Sequence, residues 1–251
     1  MPTDPLTVKI IMAAAVVAVA LVTGLPVLRG RLERSRPVFG LMEALAAGVF
    51  VGAGLIHMLE DADGEFASRG LDYPWAFVIA GSMLMLLLWT EQAGHVLAAR
   101  ADAGVLMAWL AAGMLAVHSF LVGAALGGES GLGASLIIFV AVLAHKWAAS
   151  FALALALVKS PLSAGARRGA FALFVALFPA GVAVGAGLQQ VEAAAPLAEP
   201  VFTSLAAGTF LFFGTLHELE RAPLIAETGR LAGFVAAAAG FALMAVVAIW
   251  T

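Results

Sequence analysis

Eight stretches of this chain each approach the roughly 20 apolar residues needed to cross a hydrocarbon layer about 30 Å thick. They run near Val8–Leu28, Val38–Leu59, Pro74–Ala93, Val105–Ala125, Ala134–Val158, Ala170–Leu188, Val201–Leu216 and Leu231–Trp250. A single span in lipid must satisfy its own backbone hydrogen bonds, and a helix is the way to do so. The expected fold is therefore an all-α polytopic membrane protein of eight transmembrane helices, one domain over residues 1–251. With 63% hydrophobic residues, 12% charged and a mean hydropathy of +1.04, little polar surface is left for a soluble domain. Cysteine is absent, which excludes disulfides and thiolate chemistry. The leader MPTDPLT has no basic residue, so the first run reads as a span and not as a signal peptide.

Basic residues orient the spans, because cytoplasmic loops collect Lys and Arg. Arg29, Arg31, Arg34, Arg36, Arg100, Lys159, Arg167, Arg168, Arg221 and Arg230 fall in the odd-numbered loops, against Lys9 and Arg69 on the other side. Ten against two predicts that both termini face outward. The loop after the second span then lies outside and carries Glu60, Asp61, Asp63, Glu65 and Asp72, a negative mouth that would concentrate cations. Ten Arg against three Lys, with abundant Ala and Gly, fits a multi-pass protein of a bacterial inner membrane.

The chain repeats itself at an offset of 160. LAAGVFVGAGLIHMLED, 45–61, matches LAAGTFLFFGTLHELER, 205–221, at nine of seventeen positions, among them His57 with His217 and Glu60 with Glu220. By the derived orientation these spans run in opposite directions, an inverted repeat of the kind that places a binding site at mid-membrane.

Ionisable groups within spans are costly and mark functional sites. His118 lies about 20 Å into the fourth span and His145 about 16 Å into the fifth, at 1.5 Å per residue. Both fall in the middle zone, with Ser119 and Lys146 beside them. Two imidazoles at one depth suit zinc, iron, copper or nickel, although a buried histidine is also an ordinary packing residue. At the outer end of the second span His57, Glu60 and Asp61 share a helical face and read as entry ligands; His217 and Glu218, at the inner end of the seventh, read as exit ligands. Gly123 and Gly127 give the fourth span a close-packing face, and Pro179 removes a hydrogen bond from the sixth. HELER places Arg221 where a zinc protease needs its second histidine, which excludes that enzyme.

These residues resemble the signatures of the ZIP (Zrt/Irt-like) family of divalent metal transporters. HSFLVGAALG, 118–127, resembles the fourth-span H-S-x-x-x-G-x-x-x-G motif. HKWAAS falls where the fifth-span H-x-x-x-E-G is found, FPAGVAVG resembles the sixth-span P-x-G segment, and the two repeat segments resemble the second- and seventh-span patterns. The resemblance implies a ZIP-like bundle in a divergent prokaryotic member, not an enzyme. Zinc, iron or a similar divalent ion would pass into the cytoplasm through a site between spans four and five. It implies His118 and His145 as transport ligands with Ser119 at the edge, His217 and Glu218 at release, membrane lipid and the metal ion as partners, and no prosthetic group. It implies no nucleic acid, and it allows a homodimer. Yet Val122, Ala149 and Ser150 stand where relatives carry carboxylates or glycine, and Lys146 where an amide or carboxylate contributes to a second metal. The expected site is therefore mononuclear, with Lys146 supplying a positive charge in place of the second metal. The alternative is a ZIP fold that has lost metal transport and serves as a sensor, a partner or a carrier of another solute.

Overall fold

The computed structural model describes residues 5–30, 36–98, 103–189, 197–217 and 230–250, and among these every regular element is helical. Helix α1 spans Pro5–Leu28. Helix α2, Arg36–Gly52, runs through a π-helical turn, Ala53–Met58, into α3, Leu59–Ser68. Then come α4, Trp75–Ala98; α5, Ala103–Gly128; α6, Leu132–Lys159; α7, Ala164–Gln189; and α8, Ala198–Phe212, which passes into a second π-helical turn, Phe213–His217. The last, α9, is Arg230–Val247. Six of these segments are long and apolar enough to cross a membrane: α1, α2 continued through α3, and α4 to α7. The stretch Leu231–Val247 is a shorter apolar helix.

Most of the negative mouth expected as a loop is helical instead: Glu60, Asp61, Asp63 and Glu65 lie on α3, and Asp72 lies beyond its end. Residues 59–68 contain no proline, and Leu59, Ala62 and Phe66 form a buried stripe at helical spacing that holds α3 against the bundle. The helix ends where Gly70 takes φ +76°.

The sequence repeat is also a repeat of local structure. The two π-helical turns begin at Ala53 and Phe213, the offset of 160 seen in the sequence. Such i→i+5 turns are rare and cluster at functional sites. Packing follows the same pattern: α2 lies chiefly against α9 and α8 against α4, while α5 pairs with α7 and α1 with α6. A Cβ at Gly48 would overlap the carbonyl oxygen of Ala237, and one at Gly208 that of Ala80.

The α5–α7 pair is the closest of these seams. Cβ atoms at Gly123 and Gly127 would overlap the carbonyls of Phe178 and Val182, and reciprocally Gly181 and Gly185 face those of Phe120 and Ala124. Two G-x-x-x-G runs thus let the backbones meet without side chains between them. Pro179 sits inside α7, which continues past it. Lys9, from the start of α1's second turn, donates from Nζ to the carbonyls of Gly127 and Glu129 at 2.6 and 2.7 Å. It thereby satisfies acceptors left over at the C-terminal end of α5 and lies in the favourable field of that helix end. Outward faces carry Ile10, Val22, Trp89, Leu231 and Phe234, all exposed, as surfaces against lipid require.

Candidate functional site

Helices α5 and α6, joined by a short connection, bring His118 and His145 together. Both are buried, and their ring centroids lie 5.9 Å apart with 70° between planes. Phe210 of α8 completes the cluster: it stacks on His118 at 3.7 Å and meets His145 edge-on at 4.8 Å.

The tautomer of His118 follows from its neighbours. Its Nδ1 is 2.6 Å from Thr209 Oγ1 and 3.2 Å from the carbonyl of Ala206, and the Thr209 hydroxyl itself donates to that carbonyl at 2.5 Å. With the hydroxyl hydrogen so placed, Nδ1–H donates to Thr209 and the lone pair is on Nε2, the arrangement in which an outer partner orients an imidazole ligand. His145 Nδ1 has no aligned hydrogen bond.

Lys146 takes a different direction from His145, as consecutive residues on a helix point about 100° apart at 3.6 residues per turn. Its Nζ donates to Ser119 Oγ at 2.7 Å and lies 4.2 Å from the ring centre of Phe174 and 5.0 Å from that of Phe178. Ser119 in turn donates to the carbonyl of Phe174 at 2.9 Å. The ammonium is thus held toward α7 by one hydroxyl and two aromatic faces, within range for cation–π attraction. Both Ser119 bonds face this lysine cage.

Two openings lie toward opposite ends of α5 and α6, and the first of them reaches His145. One crevice, with about 30 Å³ open to a water-sized sphere, is lined by His57, Asp61, Glu199, Thr203, Val122 and His145 among others. That is room for one water molecule. His57 Nδ1 approaches Asp61 Oδ2 at 3.0 Å without the alignment of a hydrogen bond, and Thr203 donates to Glu199 at 3.3 Å. Glu60 is exposed and is not among the lining residues, so the predicted trio divides into a facing pair and an outlier. The π-helical turn through His57 alters the regular helical spacing on which the shared face was inferred. At the other end a cavity of about 260 Å³ is lined by Glu43, Met107, Ala111, Lys159 and Ser160 among others, and Glu43 is ion-paired with Lys159.

Among the described residues no three His, Cys, Asp or Glu side chains come close enough to form one metal ligand set. Val122 lines the first crevice and Ala149 is buried, so neither offers a donor. Of the expected exit residues, His217 ends the second π-helical turn without a described side chain. Glu218 lies outside the described residues, as do Glu220 and the loop arginines Arg31, Arg34, Arg100 and Arg221. Sequence reasoning missed Glu199, Thr209 and Phe210. Glu199 falls just before the expected span, and the other two read as span interior.

Comparison with known proteins gives a consistent picture. The model of the ZIP zinc transporter family matches residues 99–248. The chain is similar to zinc transporter ZIP2 of Mus musculus, 29% identical over 268 aligned residues that cover 85% of the chain and 86% of the relative. It is 27% identical to the Homo sapiens ZIP2 over similar shares, 86% of each. Zinc transporter ZIP1 of Homo sapiens is 35% identical over 133 residues, covering 52% of this chain and 40% of the relative.

Proposed function

The chain belongs to the ZIP zinc transporter family, and from that premise we propose that it carries a divalent transition metal, zinc or iron(II), into the cytoplasm through a mononuclear site at His118 and His145. Membership makes it a multi-pass membrane transporter and not an enzyme. The observation that carries the finer reading is the buried pair of imidazoles at 5.9 Å. A metal bound about 2.0–2.1 Å from each nitrogen sets two ring centres at roughly that separation. His118, with its tautomer set by Thr209, presents Nε2; water and the lone pair of His145 complete the shell.

The reading extends to the whole chain. Eight spans, with α8 and α9 as the seventh and eighth and both termini outside, are supported by the ten-to-two distribution of basic residues. In that orientation His57, Asp61 and Glu199 receive the ion from outside and pass it to His145 along their shared crevice. Glu60 adds to the field at the mouth. The cavity beside Glu43 opens toward release, and His217 and Glu218 are kept as exit ligands on the sequence alone. The two similarly placed π-helical turns support an inverted repeat. Composition supports a bacterial inner membrane, and a homodimer is consistent with the fold.

Lys146 modulates the site. It places a cation near the two histidines without being a ligand, and Ser119 serves as its anchor instead of binding metal. Val122 and Ala149, apolar where relatives carry carboxylates, leave no bridge for a second ion. The same lack of a third ligand favours a second reading, a ZIP fold converted to sensing, partner binding or carriage of another solute. Uptake of zinc, iron(II), manganese and cadmium into proteoliposomes separates the two. Wild-type uptake that His145→Ala abolishes supports the transporter; no uptake by folded wild type sinks it.

A further inference from the structure

Far from the histidines, a cavity of about 520 Å³ opens where the end of α1 meets the start of α7. It is lined by Leu25, Leu28 and Arg29 on one side and Ala164, Arg167 and Arg168 on the other. Half of its lining is guanidinium-bearing, and none of the three arginines forms an ion pair with another described residue. Arg167 is fixed in place: Nη2 donates to the carbonyl of Ser160 at 2.9 Å, while its Nε is buried without a hydrogen-bond partner. Three guanidinium groups lining one cavity without a carboxylate among the lining residues call for an anion there.

The position of two of these arginines sharpens the point. Arg167 and Arg168 lie in the opening turns of α7, a 26-residue helix, where the exposed backbone N–H groups and the helix dipole already present positive charge. Cations at that end oppose the dipole, and an anion bound between them reverses the sign of the interaction.

The cavity is not closed at its apolar side. It shares Leu25 and Arg29 with an open trough of about 350 Å³ along α1, lined also by Leu21, Val22 and Pro26. Val22 is 72% exposed, on a helix that is apolar enough to cross the membrane. A cationic pocket therefore runs directly into a lipid-facing apolar groove. A soluble phosphate would use the first part alone; a phospholipid uses both.

We propose that the α1–α7 junction is a binding site for an anionic phospholipid, its headgroup phosphate among Arg29, Arg167 and Arg168 and an acyl chain along Leu21, Val22 and Leu25. Charge complementarity at the membrane face selects an anionic over a zwitterionic headgroup. The site is separate from the transport path and does not depend on which metal is carried.

Native mass spectrometry of the full chain in detergent tests it, with phosphatidylglycerol and phosphatidylcholine of identical acyl chains and, separately, inorganic phosphate. The expected result is one retained phosphatidylglycerol, at least tenfold preferred over phosphatidylcholine, and loss of that preference in Arg29→Gln/Arg167→Gln/Arg168→Gln. Should the triple variant fail to fold, Arg168→Gln and Val22→Trp are read singly. The first weakens headgroup selection several-fold; the second fills the trough and lowers lipid retention with the arginines intact. Equal retention of both lipids, an unchanged preference in the variants, or phosphate bound as tightly as phosphatidylglycerol would each overturn the assignment.

Discussion

Lys146 on α6 donates to Ser119 on α5 across 2.7 Å, so the residue that follows His145 in the chain is anchored on the residue that follows His118. Burying an ammonium costs several kcal/mol unless it is solvated by protein groups, and here one hydroxyl and two phenylalanine faces do that. Ser119→Ala should destabilise the protein by about 1–3 kcal/mol, the cost of an unsatisfied buried donor. Lys146→Met should be neutral or stabilising, and in the double variant most of the serine effect should disappear, giving a coupling of about 0.5–3 kcal/mol. Thermal midpoints of the four proteins in one detergent measure this; simple additivity would show that the bond carries no weight.

Thr209 has no place in the expected ligand set, yet it decides which nitrogen of His118 is free. Thr209→Val keeps the shape and removes the acceptor. Loss of such an outer partner lowers metal affinity about 10–100-fold. The KM for uptake, or calorimetric binding of zinc, should rise accordingly with little change in thermal midpoint. An unaltered KM would remove His118 from the ligand set.

The crevice beside His57 separates acidic residues that the sequence groups together. Asp61→Asn or Glu199→Gln should lower uptake at subsaturating metal by about tenfold through loss of cation focusing, with maximal velocity less affected. Glu60→Gln, at an exposed position outside the crevice, should change uptake less than twofold on the same reasoning. Concentration-dependent uptake by the three variants ranks them, and equal effects would contradict the division.

At the α5–α7 seam Gly123→Ala should cost about 1–3 kcal/mol or more, because the new methyl meets the Phe178 carbonyl and the helices must separate. Gly113→Ala, on the same helix but with open space around it, should stabilise by about 0.5–1 kcal/mol. Opposite shifts in thermal midpoint are the signature; two losses of equal size would place the helices differently.

Much of this was legible in sequence. Apolar run length marked the long helices, the offset of 160 picked out the two segments that prove to carry π-helical turns, which no sequence signal announced, and matched depth suggested that His118 and His145 share one site. Other features depend on azimuth and not on depth. Lys146 is adjacent to His145 in the chain but points about 100° away from it. Glu60 and Asp61 part for the same reason, and Asp61 alone meets His57 one turn back. The length of α3 went unseen because its acidic residues outweigh a buried stripe of Leu59, Ala62 and Phe66. Glu199 precedes Pro200, so it reads as loop until α8 is seen to begin at Ala198.

The α5–α7 seam bears on how the proposed cargo would be released. His118 is carried by the α5–α7 pair, whose backbones meet directly, and His145 by α6, which packs against α1. The two proposed ligands therefore sit on different blocks, and the gap between blocks sets the distance between the two rings. Metal–nitrogen bonds tolerate about 0.2 Å of error, so a slide of one block by an ångström is enough to open the grip. On the proposed reading, the joint that grips the ion is also the one that lets it go.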